Sequence, residues 1–353
     1  PTIDIRNNGI ADIENSSFSN FGLTGIGINS SFATISNNTF ALSAEDSASQ
    51  GGNITAVSIT NNGGAYIWQN TFSGFTDGIQ SESRTCSNIN GNTFGNTGYP
   101  VTMSYAIPFL RDNIYSGNQY NAPYISGSIE KTCDDIISDS VFVLGGQINI
   151  PLGATVSIGS NAIMKFSERN GKIDVLGTMN VIAKEGSPAI FTSVYDEEYG
   201  AGVIDVGTII PSPGSWYNVY FQNTSSTIKN AIFRYGGRVS SGIGFSPNGA
   251  LYFDGSAATL DGTTVEHAMY AGIIAKNAIL AISGSKIQNN NYYNANLPFT
   301  GIGLKTASSS IVITNTAFSD NRADIIGDGA LNIFNIDVAT CGSMQNFVLP
   351  DGV

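Results

Sequence analysis

The sequence predicts an all-β protein, a right-handed parallel β-helix (a solenoid) built from coils of about 22 residues, with loop insertions. Three observations carry that prediction: a short phrase recurs along most of the chain, the composition favours strands and tight turns, and no stretch shows sustained helical periodicity. Internal repeats of this length are the signature of stacked-coil architectures, in which one coil alone cannot bury its apolar face.

The phrase is Ile-x-Asn-x-x-Phe. It stands as Ile13 to Phe18 and Ile35 to Phe40, and with the third position varied as Ile67-Trp-Gln-Asn-Thr-Phe72 and Ile89-Asn-Gly-Asn-Thr-Phe94; a weaker copy ends at Tyr115. The aromatic positions 18, 40, 72, 94 and 115 step by 22, 32, 22 and 21, a unit of 22 with one insertion of ten. The second half keeps the rhythm in Ile228 to Phe233, Leu260 to Val265, Ile282 to Ile287 and Ile313 to Phe318. Ile and Phe five apart, with small polar residues between, fit a strand that turns a corner and starts another. Matching apolar positions then stack coil on coil at the ordinary strand spacing of about 4.8 Å. Asn at the corner tolerates left-handed backbone and is expected to stack its amide in a ladder along the axis.

Residues 136–236 have a different texture, with brief β-branched runs such as Val141 to Leu144, Ile148 to Ile150, Ala154 to Ile158, Ile173 to Leu176 and Met179 to Ile182. Gly145-Gly146, Pro151-Leu152-Gly153 and Gly177 separate them and read as turns. The predicted organisation is N-terminal coils over 1–135 and continuing coils with loop insertions over 136–353, one solenoid of roughly a dozen coils and about 60 Å. A β-propeller or sandwich is the competing fold, but 22 residues are too few for a four-stranded blade.

Composition narrows the function classes. Hydrophobic residues make up 41% and charged residues 12%, with Gly, Asn, Ser and Thr filling the surface. A net charge of −12 without clustered Lys and Arg excludes nucleic acid as a partner. No apolar run reaches the roughly 18–20 residues needed to span a bilayer. The chain opens at Pro1 and ends at Val353, which reads as a mature or trimmed form of a longer precursor. With three cysteines and one histidine, no zinc site is expected. Cys86 and Cys133 lie about two coils apart, so a disulfide competes with two buried free thiols; Cys341 is left over.

The order Ile150-Pro-Leu-Gly-Ala-Thr-Val, Val175-Leu-Gly-Thr178, Pro188-Ala-Ile-Phe-Thr-Ser193, Gly214-Ser-Trp216 and Tyr235-Gly-Gly237 resembles the secreted right-handed parallel β-helix repeat proteins of bacteria and archaea. The resemblance covers about residues 150–275. It implies the same fold and a cell-surface or extracellular location, and specifies little about activity.

Candidate chemistry is sparse. Asp134-Asp135 is an adjacent acid pair of the kind that serves β-helix glycosidases, but the Asn-Thr-Asp, Gly-His-Gly and Arg-Ile-Lys motifs of polygalacturonases do not accompany it. His267 is the lone histidine and stands at an ordinary coil position; Arg169, Arg234 and Arg238 are the nearest approach to a basic group. Asp196, Glu197, Glu198 and Asp205 offer hard oxygen ligands on a loop, a candidate Ca²⁺ site without an EF-hand pattern. Tyr115, Tyr120 and Tyr124, with Tyr99 and Tyr105 nearby and Tyr292-Tyr293 later, form a candidate ligand surface for glycans or protein. The Asn-x-Ser/Thr triplets at Asn15, Asn29, Asn37, Asn53 and Asn223 are glycan acceptors or turn and ladder residues. A regular Thr-x-Thr array suited to ice is missing. The expectation is a non-catalytic extracellular structural or adhesive element of a surface layer, sheath, filament or larger adhesin, associating end to end or continuing in a longer chain. A polysaccharide lyase or hydrolase, or a carbohydrate-binding module, is the alternative.

Overall fold

The computed structural model describes residues 2–19, 21–43, 53–134, 136–138, 140–167, 169–205, 207–239, 248–292, 300–328, 332–334 and 347–348, and these residues contain strands, turns and bends but no helix. The chain forms two compact units: residues 1–135 with 141–143 and 200–207, and residues 136–140, 144–199 and 208–353.

In the first unit five coils each contribute three strands, one to each of three parallel sheets, and the first sheet takes a sixth strand. The first sheet takes Ile3–Arg6, Thr24–Asn29, Thr55–Thr60, Asp77–Ser83, Tyr99–Ile107 and Tyr124–Thr132. The second takes Ile10–Glu14, Phe32–Ser36, Gly64–Trp68, Asn88–Asn90 and Phe109–Arg111, and the third runs from Ser17–Phe18 through Thr39–Ala41, Thr71–Ser73 and Thr93–Gly95 to Ile114–Ser116. Register follows the repeat. Ile13, Ile35, Ile67, Ile89 and Leu110 face one another in turn, as do Phe18, Phe40, Phe72, Phe94 and Tyr115. The phenylalanine rings lie nearly parallel and stacked at centroid spacings of 4.6, 4.9 and 4.8 Å, and Tyr115 continues the column at 5.6 Å. Phe40, Phe72 and Phe94 are fully buried. Each such ring contributes about 1.5–3 kcal/mol by leaving water, and offset stacking adds about 0.5–1.5 kcal/mol per pair.

The corner between those columns differs from expectation in one respect. Left-handed backbone and amide stacking fall on consecutive residues. Asn15, Asn37, Gln69, Gly91 and Asp112 hold φ between +52° and +63°. The next residue carries the ladder: Asn38, Asn70 and Asn92 each donate from backbone N and from Nδ2 to the Oδ1 of the asparagine one coil on, at 2.9–3.1 Å, ending on Asn113. Nδ2 of Asn38, Asn70, Asn92 and Asn113 also donates to the carbonyls of Ile13, Ile35, Ile67 and Ile89. One residue cannot do both jobs, because the corner side chain is turned to solvent and the following one is turned inward.

The second unit repeats the plan. Its first sheet passes through the later part of Val141–Ile150 (residues 144–150), then Lys172–Val175, Val219–Gln222, Gly249–Asp254, Ala271–Lys276, Ile302–Ala307 and Ala323–Asp328. Ile228, Leu260, Ile282 and Ile313 stack in register, as do Phe191, Phe233, Val265, Ile287 and Phe318. Gly145-Gly146 does not end a strand as expected: Val141–Ile150 runs through it, with Gly146 at φ +61° absorbing the bend within one continuous strand. Hydroxyls do part of the corner work here, as Ser285 Oγ and Ser309 Oγ accept from the backbone N of Thr263 and Ala278. Asn290 and Asn321 restore the amide ladder at the third corner.

Candidate functional site

Cys86 and Cys133 form a disulfide with a Cα–Cα distance of 5.5 Å, across a sequence separation of 47. Beside it Arg84 clasps Glu130 with two bonds of 2.6 and 2.8 Å and lies 4.5 Å over the Tyr105 ring. Cys341 lies outside the described residues. Asp134 is ion-paired with Arg111 at 3.2 Å, and Asp135 lies outside the described residues.

The acidic loop is organised around an arginine. Arg234 is 5% exposed. Its guanidinium meets Glu198 at 2.5 Å, Glu266 at 3.3 Å and Asp196 at 3.7 Å, and it lies over the rings of Tyr235 and Tyr199. Asp196, 2% exposed, also accepts from Thr192 Oγ1 at 2.5 Å. Buried Lys165 donates to the Asp196 carbonyl at 2.7 Å, and burial holds its ammonium below the usual lysine range. A buried cation among three carboxylates is what desolvation demands. Asp196 and Glu198 are thus engaged by Arg234; Glu197 is exposed on the same loop, and Asp205 accepts from the Gly207 backbone N in its own turn. Among the described residues no three acidic, histidine or cysteine side chains gather as a metal site. His267, at φ +54°, stacks on Tyr235 at 5.2 Å. Arg169 is exposed and Arg238 half-buried, so the three arginines have separate environments.

Tyr115 belongs to the interior phenylalanine column, and burial pushes its phenol well above the ordinary range. Tyr120 and Tyr124 instead cluster with Tyr99, at centroid distances of 5.4, 4.6 and 5.7 Å. The expected ligand surface thus divides between core and cluster. Tyr293 lies outside the described residues. Asn15, Asn37 and Asn223 hold positive-φ corners.

Two outward strips were not singled out from the sequence. In the second unit Asp174, Tyr220 and Tyr252 follow one another in register. Tyr220 donates to Asp254, and burial together with that carboxylate pushes its phenol up to about 12. Lys172 and Gln147 both contact Asp174, at 2.7 and 2.6 Å. In the first unit the outer face of the second sheet carries Phe32, Tyr66, Trp68 and Phe109 with Asn88 and Asn90. Tyr66 is 49% exposed, and Phe32 meets it edge-on at 4.9 Å. Strand parity was the available signal: Ala65 and Ile67 point inward, so Tyr66 and Trp68 must point out.

No protein-family model matches the chain, and no curated protein is significantly similar to it. The resemblance to secreted β-helix repeat proteins therefore rests on the motifs quoted above.

Proposed function

We propose that this chain is a non-catalytic extracellular structural or adhesive element, a segment of a surface layer, sheath, filament or larger adhesin. One observation carries the reading. Five of the side chains with catalytic potential are bound into coil-to-coil contacts: Asp134 to Arg111, Asp196, Glu198 and Glu266 to Arg234, and His267 to Tyr235. The ladder and the aromatic columns serve the same end, holding successive coils in register. The Cys86–Cys133 disulfide supports an oxidising, extracellular setting. End-to-end association, with another copy or with further coils of a longer chain, belongs to this reading because open strand edges recruit strands.

The test is incubation with acidic and neutral polysaccharides, with and without Ca²⁺, followed by assay for reducing ends and unsaturated products. No turnover is expected on any substrate. Product formation that survives repurification and scales with protein concentration overturns the reading.

A further inference from the structure

We infer that the outer face of the second sheet in the first unit is a binding strip for an extended, neutral polysaccharide. The inference deepens the adhesive reading by naming what the surface holds.

The strip is built by register. Tyr66, Asn88 and Phe109 stand opposite one another on three successive coils. Alongside them Trp68 and Asn90 occupy the next outward column, followed by Arg111. Aromatic rings therefore stand on the first and third of these coils, about 10 Å apart in the Tyr66–Phe109 column, with carboxamides on the coil between. An extended glycan has this alternation: the C–H faces of its rings pack on aromatic side chains, and its hydroxyls exchange hydrogen bonds with amides, which both donate and accept.

The surface is prepared for such a ligand. Phe32 leans over Gly64, where any Cβ would lie 3.2 Å from the ring, and braces Tyr66 edge-on. Charge selects among glycans. Arg111, the cation that closes the second column, is paired with Asp134. The chain as a whole carries −12, so an anionic polysaccharide is repelled and a neutral one is not.

Tryptophan fluorescence gives a direct readout, since the chain has two tryptophans and Trp216 is fully buried. In a Trp216→Phe background Trp68 is the sole reporter. Titration with cellohexaose, xylohexaose and laminarihexaose should shift its emission to the blue and shield it from acrylamide with at least one of them. Polygalacturonate should do neither. Tyr66→Ala and Phe109→Ala should each weaken binding at least about tenfold, with the melting temperature checked for each. Tyr252→Ala, on the other unit, should leave it unchanged. Absence of any response to all three neutral probes overturns the inference, as does binding that survives both Tyr66→Ala and Phe109→Ala. Turnover of a bound probe would instead sink the non-catalytic reading while leaving the strip in place.

Discussion

At the scale of single residues, buried polar groups define the risks this protein carries. Asp77 is 8% exposed at the start of its strand, and burial, its main perturbation, raises its carboxyl to about 6. The folded state therefore holds that proton more tightly than the unfolded chain, whose aspartates titrate near 4. Its contribution is fully present below about pH 4 and is lost as pH rises through about 6, at a cost of about 3 kcal/mol above that. Asp77→Asn should accordingly stabilise the protein at neutral pH and flatten the pH dependence of melting between 4 and 6. An unchanged profile in calorimetry would contradict the assignment. Arg234 is the opposite case, a buried charge whose partners are already assembled around it.

At the scale of the coil, the repeat was legible because packing is periodic. The Ile and Phe positions identified from spacing alone occupy the interior columns in both units. The ladder residue was displaced by one because Asn-Asn and Asn-Ser pairs at the corner do not reveal which member faces in. Only the strand geometry fixes that choice. Asn92, itself fully buried, accepts from Asn70 and donates to half-buried Asn113 and to the Ile67 carbonyl. Asn92→Ala should cost about 3 kcal/mol in denaturant unfolding, since several buried partners lose their bonds together. Asn92→Ser should recover part of it, because hydroxyls fill the equivalent post at Ser285 and Thr316. Equal losses for the two variants would argue against the ladder as a source of stability.

At the scale of the whole molecule, the fold class could be read from sequence, whereas the chemistry of its surfaces could not. Tyr115, Tyr120 and Tyr124 lie close in sequence, and the coil sends Tyr115 inward and the other two to a cluster. Tyr66 and Phe109 are far apart in sequence, and the same coil sets them two rungs apart in one column. Proximity along a chain says little where every neighbour in space is a full turn away. The disulfide follows the same logic, joining residues 47 apart. A loop of that size corresponds to about 4 kcal/mol of restricted unfolded-chain freedom. Cys86→Ser with Cys133→Ser, or reduction of the native protein, should lower stability by that amount in urea titration while the far-ultraviolet spectrum keeps its β signature.

The asparagine ladder also has a direction. Each amide presents its oxygen toward the preceding coil and its nitrogen toward the following one, so the groups form a polarised wire in which every bond strengthens its neighbours. At this corner a finished rung presents a backbone N–H and an amide N–H to the rung that comes next, so a coil already in place offers the following one a donor pair in fixed register. A nascent chain emerging in that order would be assembled as it arrives, each turn zipped onto the last before the following one is made.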